Sequence, residues 1–135
     1  MCDFCGCPAI DPFSVLTDDH LTLLAMADAY EASRDPLDLD ALRVIWDDHR
    51  AQERGATEHL AAALSLDDVI AAGHRIDAPL EVLLAHAEPN PRELRFAVTD
   101  HVDGYEFEVF PALVLPADRQ ELEGAARAAA GAWVA

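Results

Sequence analysis

Four histidines recur at near-equal intervals along the chain. They are separated by 25 to 29 residues and are His20, His49, His74 and His101. Glu53 lies four residues after His49, on the same face of a helix, and Glu106 lies five after His101. Imidazoles with a few carboxylates suit iron, and two carboxylates inside a four-helix bundle can bridge two iron ions. The pattern therefore predicts a metal site and favours iron.

A metal-free interpretation of these histidines stays open at this point. An inward-facing histidine is commonly a hydrogen-bonded core residue, and such a bundle would serve as an interaction module. Burying four imidazoles and a glutamate without a metal would cost several kcal/mol unless every group were paired.

Apolar residues at alternating steps of three and four predict the first two helices that would position these groups. The first is expected to begin at Pro12 or Ser14 and to end near Ala32, with His20 on its apolar seam. The second is expected to begin near Asp38, with both His49 and Glu53 on its seam. Each of these helices therefore presents a potential ligand on its core-facing side.

Local signals predict two further helices and a tail. Ser65 followed by Asp68 is a capping-box pattern that would open the third helix, which Pro79 is expected to kink or interrupt. Asn90 and Pro91 are typical of the N-cap and first position of a fourth helix. A short tail helix is expected from residue 117 to about residue 130.

These elements predict an all-α fold, an antiparallel up-down four-helix bundle followed by a short C-terminal tail helix. We divide the chain into a cysteine-rich segment (residues 1–10), the bundle (11–115) and the helical tail (116–135). In such a bundle, histidines at near-equal spacing lie at a similar height. One histidine from each helix is therefore expected to converge on a common centre.

Several short motifs resemble the hemerythrin-like (HHE) cation-binding family. Residues 16–20 (LTDDH) resemble the family's first-helix motif, and His49 with Glu53 matches H-x-x-x-E. His101 with Glu106 matches H-x-x-x-x-D/E, and residues 110–113 (FPAL) resemble a segment that often follows. The CxxCGC of residues 2–7 resembles the start of some bacterial members. The resemblance covers residues 1–115.

The resemblance implies a four-helix bundle around two non-haem iron ions. Its implied ligands are His20, His49, Glu53, His74, His101 and Glu106. The implied function is to engage dioxygen, nitric oxide or peroxide in sensing, storage or detoxification. Iron storage or delivery, and a di-iron peroxidase or oxidase, are the alternatives, so enzymatic activity stays undecided.

Two departures from the family pattern bear on the site. The family's second histidine on the third helix is replaced by Ala78, so water or Asp77 would complete the coordination of one iron. On the fourth helix Glu106 is the preferred oxygen ligand, with Tyr105 and Glu108 as alternatives.

A second metal site is predicted at one end of the bundle. Three cysteines lie within six residues, and the helix directions place His59 toward the same end; the set is Cys2, Cys5, Cys7 and His59. Three thiolates and an imidazole suit zinc, and a comparable set holds iron–sulfur clusters. A flexible thiol tail beside a surface histidine is the alternative.

Composition restricts the class of partner. Acidic residues outnumber basic ones 26 to 9, and the net charge is −17. A field of this sign repels nucleic acid and anionic membranes. The N-terminus lacks the pattern of a signal peptide, and no apolar run approaches the ~18 residues that a membrane span needs, so we expect a cytoplasmic protein.

Overall fold

The computed structural model describes residues 12–134, which are helical almost throughout and contain no strand. Six α-helices follow one another, with a π-helical segment, Tyr105–Val109, between the fourth and the fifth. The α-helices are α1 (Pro12–Ser33), α2 (Pro36–Ala63), α3 (Asp67–Ala85), α4 (Pro91–Gly104), α5 (Phe110–Val114) and α6 (Arg119–Val134). The helical class predicted from periodicity is therefore confirmed.

The first four helices contact one another in a ring. Helix α1 packs on α2 and α4, and α3 packs on α4 and α2. The π-helical segment and α5 continue α4 without a break, so residues 91–114 act as one long bundle helix. This set of neighbours is compatible with the predicted up-down bundle.

Helix α6 packs along α2 more extensively than any other pair of helices pack together. Its small residues let the two backbones approach: Ala125 is fully buried and Ala129 nearly so. Gly124 lies under the ring of His59, because a methyl group at position 124 would come within 2.5 Å of His59 Nε2. The predicted tail helix is thus a packed helix that covers the C-terminal half of α2.

Helix ends follow the local signals in one case and depart from them in another. Asn90 caps α4 as predicted, since its side chain accepts hydrogen bonds from the backbone N–H groups of Arg92 and Glu93. Ser65 does not open α3. It has a positive φ of 57° and closes α2, with the Leu66 N–H donating to the Ala61 carbonyl at 2.7 Å.

Helix α3 runs through Pro79 without interruption. Pro79 lies on the exposed side of the helix, where water can replace the helical hydrogen bond that a proline cannot donate. No helix in the part of the chain described, residues 12–134, is both long enough and apolar enough to cross a membrane.

The core consists of two apolar halves. One half, toward the start of α1, includes Leu16, Leu60, Val109 and Leu113; the other includes Leu23, Leu42, Trp46 and Leu94. On α1, His20 lies between Leu16 of the first half and Leu23 of the second. On α4, His101 comes three residues after Val98, which belongs to the second half. A layer of polar side chains therefore crosses the middle of the bundle.

Candidate metal centre

Four side chains from three helices meet in this polar layer. They are His20 of α1, His49 and Glu53 of α2, and His101 of α4, and one potential ligand atom from each lies within 4.8 Å of all the others. All four are at most 1% exposed. Because Glu53 is one helical turn after His49, α2 places both on the same face.

The carboxylate of Glu53 lies at the centre of the three imidazoles. Its Oε2 is 2.9 Å from His20 Nε2 and 2.9 Å from His49 Nε2. Its Oε1 is 3.3 Å from His101 Nε2. The Nε2 atoms of His49 and His101 are themselves only 3.4 Å apart. All three rings therefore direct the same nitrogen toward one point.

Each ring binds a different carboxylate through its other nitrogen. His20 Nδ1 is 2.8 Å from Glu106 Oε1. His49 Nδ1 is 3.2 Å from Asp19 Oδ2. His101 Nδ1 is 2.9 Å from Asp77 Oδ1. Metal-binding histidines in proteins are commonly held in this way: one ring nitrogen faces the ion, and the other donates to a carboxylate.

The bonds on the outer nitrogens determine which nitrogen of each imidazole carries the proton. An ionised carboxylate only accepts, so each Nδ1 must carry the proton and donate it outward. A neutral imidazole then turns an Nε2 lone pair inward, toward the acceptor oxygens of Glu53. Glu53 Oε1 is buried without a hydrogen-bond partner. Three lone pairs and an anionic carboxylate together require a cation, either protons or a metal ion.

The pKa values of the metal-free centre also favour positively charged histidines next to an ionised Glu53. Burial opposes the charged form of His49, but hydrogen bonds to Asp19 and Glu53 outweigh it and raise the pKa from 6.5 to about 9. Burial also opposes the charged form of His101, but the hydrogen bond to Asp77 and the nearby carboxylate of Glu53 raise its pKa. Burial opposes the charged form of Glu53, but three imidazoles lie within 3.3 Å of its carboxylate and hold its pKa well below the usual range. Protons therefore compete with metal for this position.

Aromatic side chains enclose the centre. The ring of Phe110 stacks on His20 at 5.7 Å between centroids with a 10° tilt. The indole of Trp46 meets the ring of His101 edge-on at 4.8 Å. These contacts hold the imidazole planes and keep water away from the central nitrogens.

The third helix contributes differently from the prediction, which placed His74 among the ligands. The buried face of α3 carries Gly73 and Asp77, and Asp77 is fully buried. His74 is one residue beyond Gly73, about 100° around the helix. It is 54% exposed and bonds to Glu58 at 3.0 Å. The expectation of one converging histidine per helix is thus corrected for α3.

His74 therefore offers a control for the site. We expect His74→Ala to keep the full metal content of the unmodified protein, because its ring lies on the surface. The exposed pair with Glu58 contributes at most about 1 kcal/mol to folding. His49→Ala should lose most of the metal. Elemental analysis of both purified variants checks this, and equal losses in the two would contradict the assignment.

Glu106 lies next to the centre, behind His20. Its Oε1 accepts from His20 Nδ1 and also from the hydroxyl of Thr17 at 2.7 Å. It is 25% exposed. The structure thus places Glu106 beside the site, on the outer nitrogen of a histidine, where it fixes the ring, and not among the four converging ligand atoms.

The π-helical segment explains the positions of the two alternatives to Glu106. The N–H of Phe110 donates to the carbonyl of Tyr105, five residues earlier, so this turn holds one extra residue. The buried face consequently passes from Tyr105 to Val109, and Glu108 is exposed. Burial, and then the charges of Glu53 and Asp77, raise the pKa of Tyr105, so the phenol keeps its proton.

Two other predicted features lie away from the centre. Ala78, where the family pattern has a second histidine, is exposed on α3. His59 is exposed and lies against α6. Its predicted partners Cys2, Cys5 and Cys7 lie outside residues 12–134, so the second metal site stays a prediction.

Sequence reasoning missed the outer carboxylate role of Asp19. Asp19 is 31% exposed and bonds to the outer nitrogen of His49 on the neighbouring helix. Its position directly before His20 was the available signal. Asp77, expected at most to fill a vacant iron position, instead bonds to the outer nitrogen of His101.

Comparisons with protein-family profiles, with curated proteins and with solved structures find no match to this chain.

Proposed function

We propose that this chain is a non-haem iron protein of the hemerythrin-like kind that engages a small oxidant or diatomic ligand at a buried centre. The observation that carries the proposal is the convergence of three Nε2 atoms on Glu53, whose Oε1 has no hydrogen-bond partner. Three imidazoles and one carboxylate suit iron. The H-x-x-x-E and H-x-x-x-x-E motifs, which resemble that family, favour iron over zinc or copper.

The proposed stoichiometry is one tightly held ion per chain. The ligands would be His20, His49, His101 and Glu53. A second ion, as the family resemblance implies, would need further donors. The three carboxylates next to the centre, Glu106, Asp19 and Asp77, are already bonded to the outer nitrogens of the three histidines. Recruiting any of them would release a ring that the first ion requires.

Bound iron would supply a one-electron redox couple and open coordination positions, since four protein ligands leave room for an exogenous molecule. The chain's own residues would orient the ligands and exclude water. Asp19, Asp77 and Glu106 hold the three rings, while Trp46 and Phe110 cover two of them. Such a dry, fixed site suits dioxygen, nitric oxide or peroxide.

Burial distinguishes between the functional alternatives. All four proposed ligands are at most 1% exposed, so an ion bound here would exchange slowly. Delivery requires an ion that exchanges easily, which an exposed site would provide. The geometry therefore favours ligand binding or oxidant chemistry at a resident iron over iron storage and delivery.

The test is to load the metal-free protein with ferrous iron under anaerobic conditions and to add nitric oxide, azide after oxidation, or peroxide. We expect one iron per chain and a new absorption band with at least one of these molecules. Zinc-loaded protein is the control and should show no such band. Iron-loaded protein that gives no spectral response to any of the three would overturn the ligand-binding role.

A further inference from the structure

Asp77 differs from the other two outer carboxylates in how it is held. It is fully buried, whereas Asp19 is 31% and Glu106 is 25% exposed. Its Oδ1 accepts from His101 Nδ1 at 2.9 Å. Its Oδ2 accepts from the Tyr105 hydroxyl at 3.1 Å and from Arg54 Nη2 at 3.3 Å. Water therefore has little access to this carboxylate, and protein donors occupy both of its oxygens.

Tyr105 reaches Asp77 because of two features of the backbone. It is the first residue of the π-helical segment, one turn after His101, so its ring lies against the His101 ring at 4.7 Å between centroids. Position 73 on α3 is a glycine. A methyl group there would lie only 2.8 Å from the Tyr105 hydroxyl oxygen, so any larger residue would displace it.

The hydroxyl and the ring of Tyr105 thus both act on His101. The ring packs against the imidazole, and the hydroxyl fixes the carboxylate that accepts its Nδ1–H. Without the hydroxyl, Oδ2 would keep only Arg54, which is 31% exposed and also bonds to Glu81 at 2.7 Å. Asp77 would then be free to turn toward Arg54 and away from His101.

We propose that Tyr105 is a positioning residue for the metal centre, which acts through Asp77 to keep the His101 Nε2 lone pair directed at the ion, and that Gly73 provides the space for this contact. The inference rests on the proposed metal site. Outer partners of metal-binding histidines typically contribute 10- to 100-fold in affinity. The hydroxyl is one step further out, so we expect an effect of about 10-fold.

The experiment compares Tyr105→Phe with Tyr30→Phe. Both remove one buried hydroxyl, since Tyr30 is 6% exposed and donates to the Pro89 carbonyl, away from the centre. Affinity for Co²⁺ and Zn²⁺ is measured by competition with a chromophoric chelator. Tyr105→Phe should weaken binding about 10-fold, and Tyr30→Phe should leave it unchanged.

A second measurement reports on His101 itself. In the Co²⁺-loaded protein each ligating histidine contributes a strongly shifted, exchangeable Nδ1–H proton resonance. Tyr105→Phe should accelerate solvent exchange of one of the three resonances, that of His101, and leave those of His20 and His49 unchanged. A purely structural loss would affect all three alike.

Gly73 completes the test through a double-mutant cycle. Gly73→Ala alone should weaken Co²⁺ binding as Tyr105→Phe does, because the methyl group displaces the hydroxyl. The double variant should bind no more weakly than Tyr105→Phe, since the methyl group would face only ring carbon, 3.6 Å away in the unmodified protein. Equal affinity of Tyr105→Phe and the unmodified protein would overturn the positioning role. Failure of the unmodified protein to bind either ion would instead overturn the proposed metal site.

Discussion

Glu53→Gln is expected to lower the affinity for divalent metal by roughly 100-fold or more, because even the hydrogen-bond partner behind a ligating histidine contributes 10- to 100-fold. The substitution keeps the size of the side chain and removes the central negative charge. Glu53 Oε2 lies 2.9 Å from two of the imidazole nitrogens. An amide in its place offers a neutral oxygen and introduces N–H donors where an ion would be. Calorimetric titration with Zn²⁺ measures the change.

Glu58→Gln is the matched control, because it makes the same chemical change on the same helix. Glu58 is 46% exposed and bonds to His74 on the surface. Its replacement should leave Zn²⁺ affinity unchanged. Full affinity in Glu53→Gln, or equal losses in the two variants, would contradict the central role of Glu53.

The metal-free protein is expected to lose stability as the pH rises from about 6.5 to about 9. Burial opposes the charged form of His49, but bonds to Asp19 and Glu53 together with their charges outweigh it and raise the folded-state pKa to about 9. A raised pKa stabilises the fold fully below the unfolded value of 6.5, and this contribution disappears as the pH passes the folded value. The loss should be on the order of 3 kcal/mol from His49 alone. His101 acts in the same direction.

Bound metal should reverse this dependence, because the ion takes the place of the protons and ligating imidazoles must be deprotonated. Urea midpoints at pH 6 and pH 9, with and without Zn²⁺, check the prediction. The stabilisation by Zn²⁺ should be larger at pH 9 than at pH 6. A metal-free protein equally stable at both values would show that the histidine cluster holds no excess protons.

Regular helical spacing made most of the centre predictable. His20, His49 and His101 each lie on an apolar seam, and Glu53 is one turn from His49. A seam that repeats every three or four residues specifies which side chains face the core. The start of α4 at Asn90 and Pro91 was also predictable, because a helix cap depends on only a few neighbouring residues.

The features that the sequence did not predict depend on tertiary packing. His74 lies beside the seam of α3, and only the rotation of that helix in the bundle shows that Asp77 faces inward instead. Glu108 belongs to the seam of an ideal α-helix, but the extra residue in the π-helical segment moves that seam to Val109. Ser65 has the composition of an N-cap and instead adopts the left-handed conformation that ends α2. None of these outcomes follows from side-chain spacing alone.

X-ray absorption at the iron edge of iron-loaded protein tests the proposed centre, because it reports the ligand types and any neighbouring metal together. We expect a single iron with nitrogen and oxygen ligands, clear imidazole scattering and no second metal within about 4 Å. His101→Ala should reduce the imidazole signal. Sulfur ligands, an iron–iron distance, or no bound iron at all would contradict the assignment of the centre.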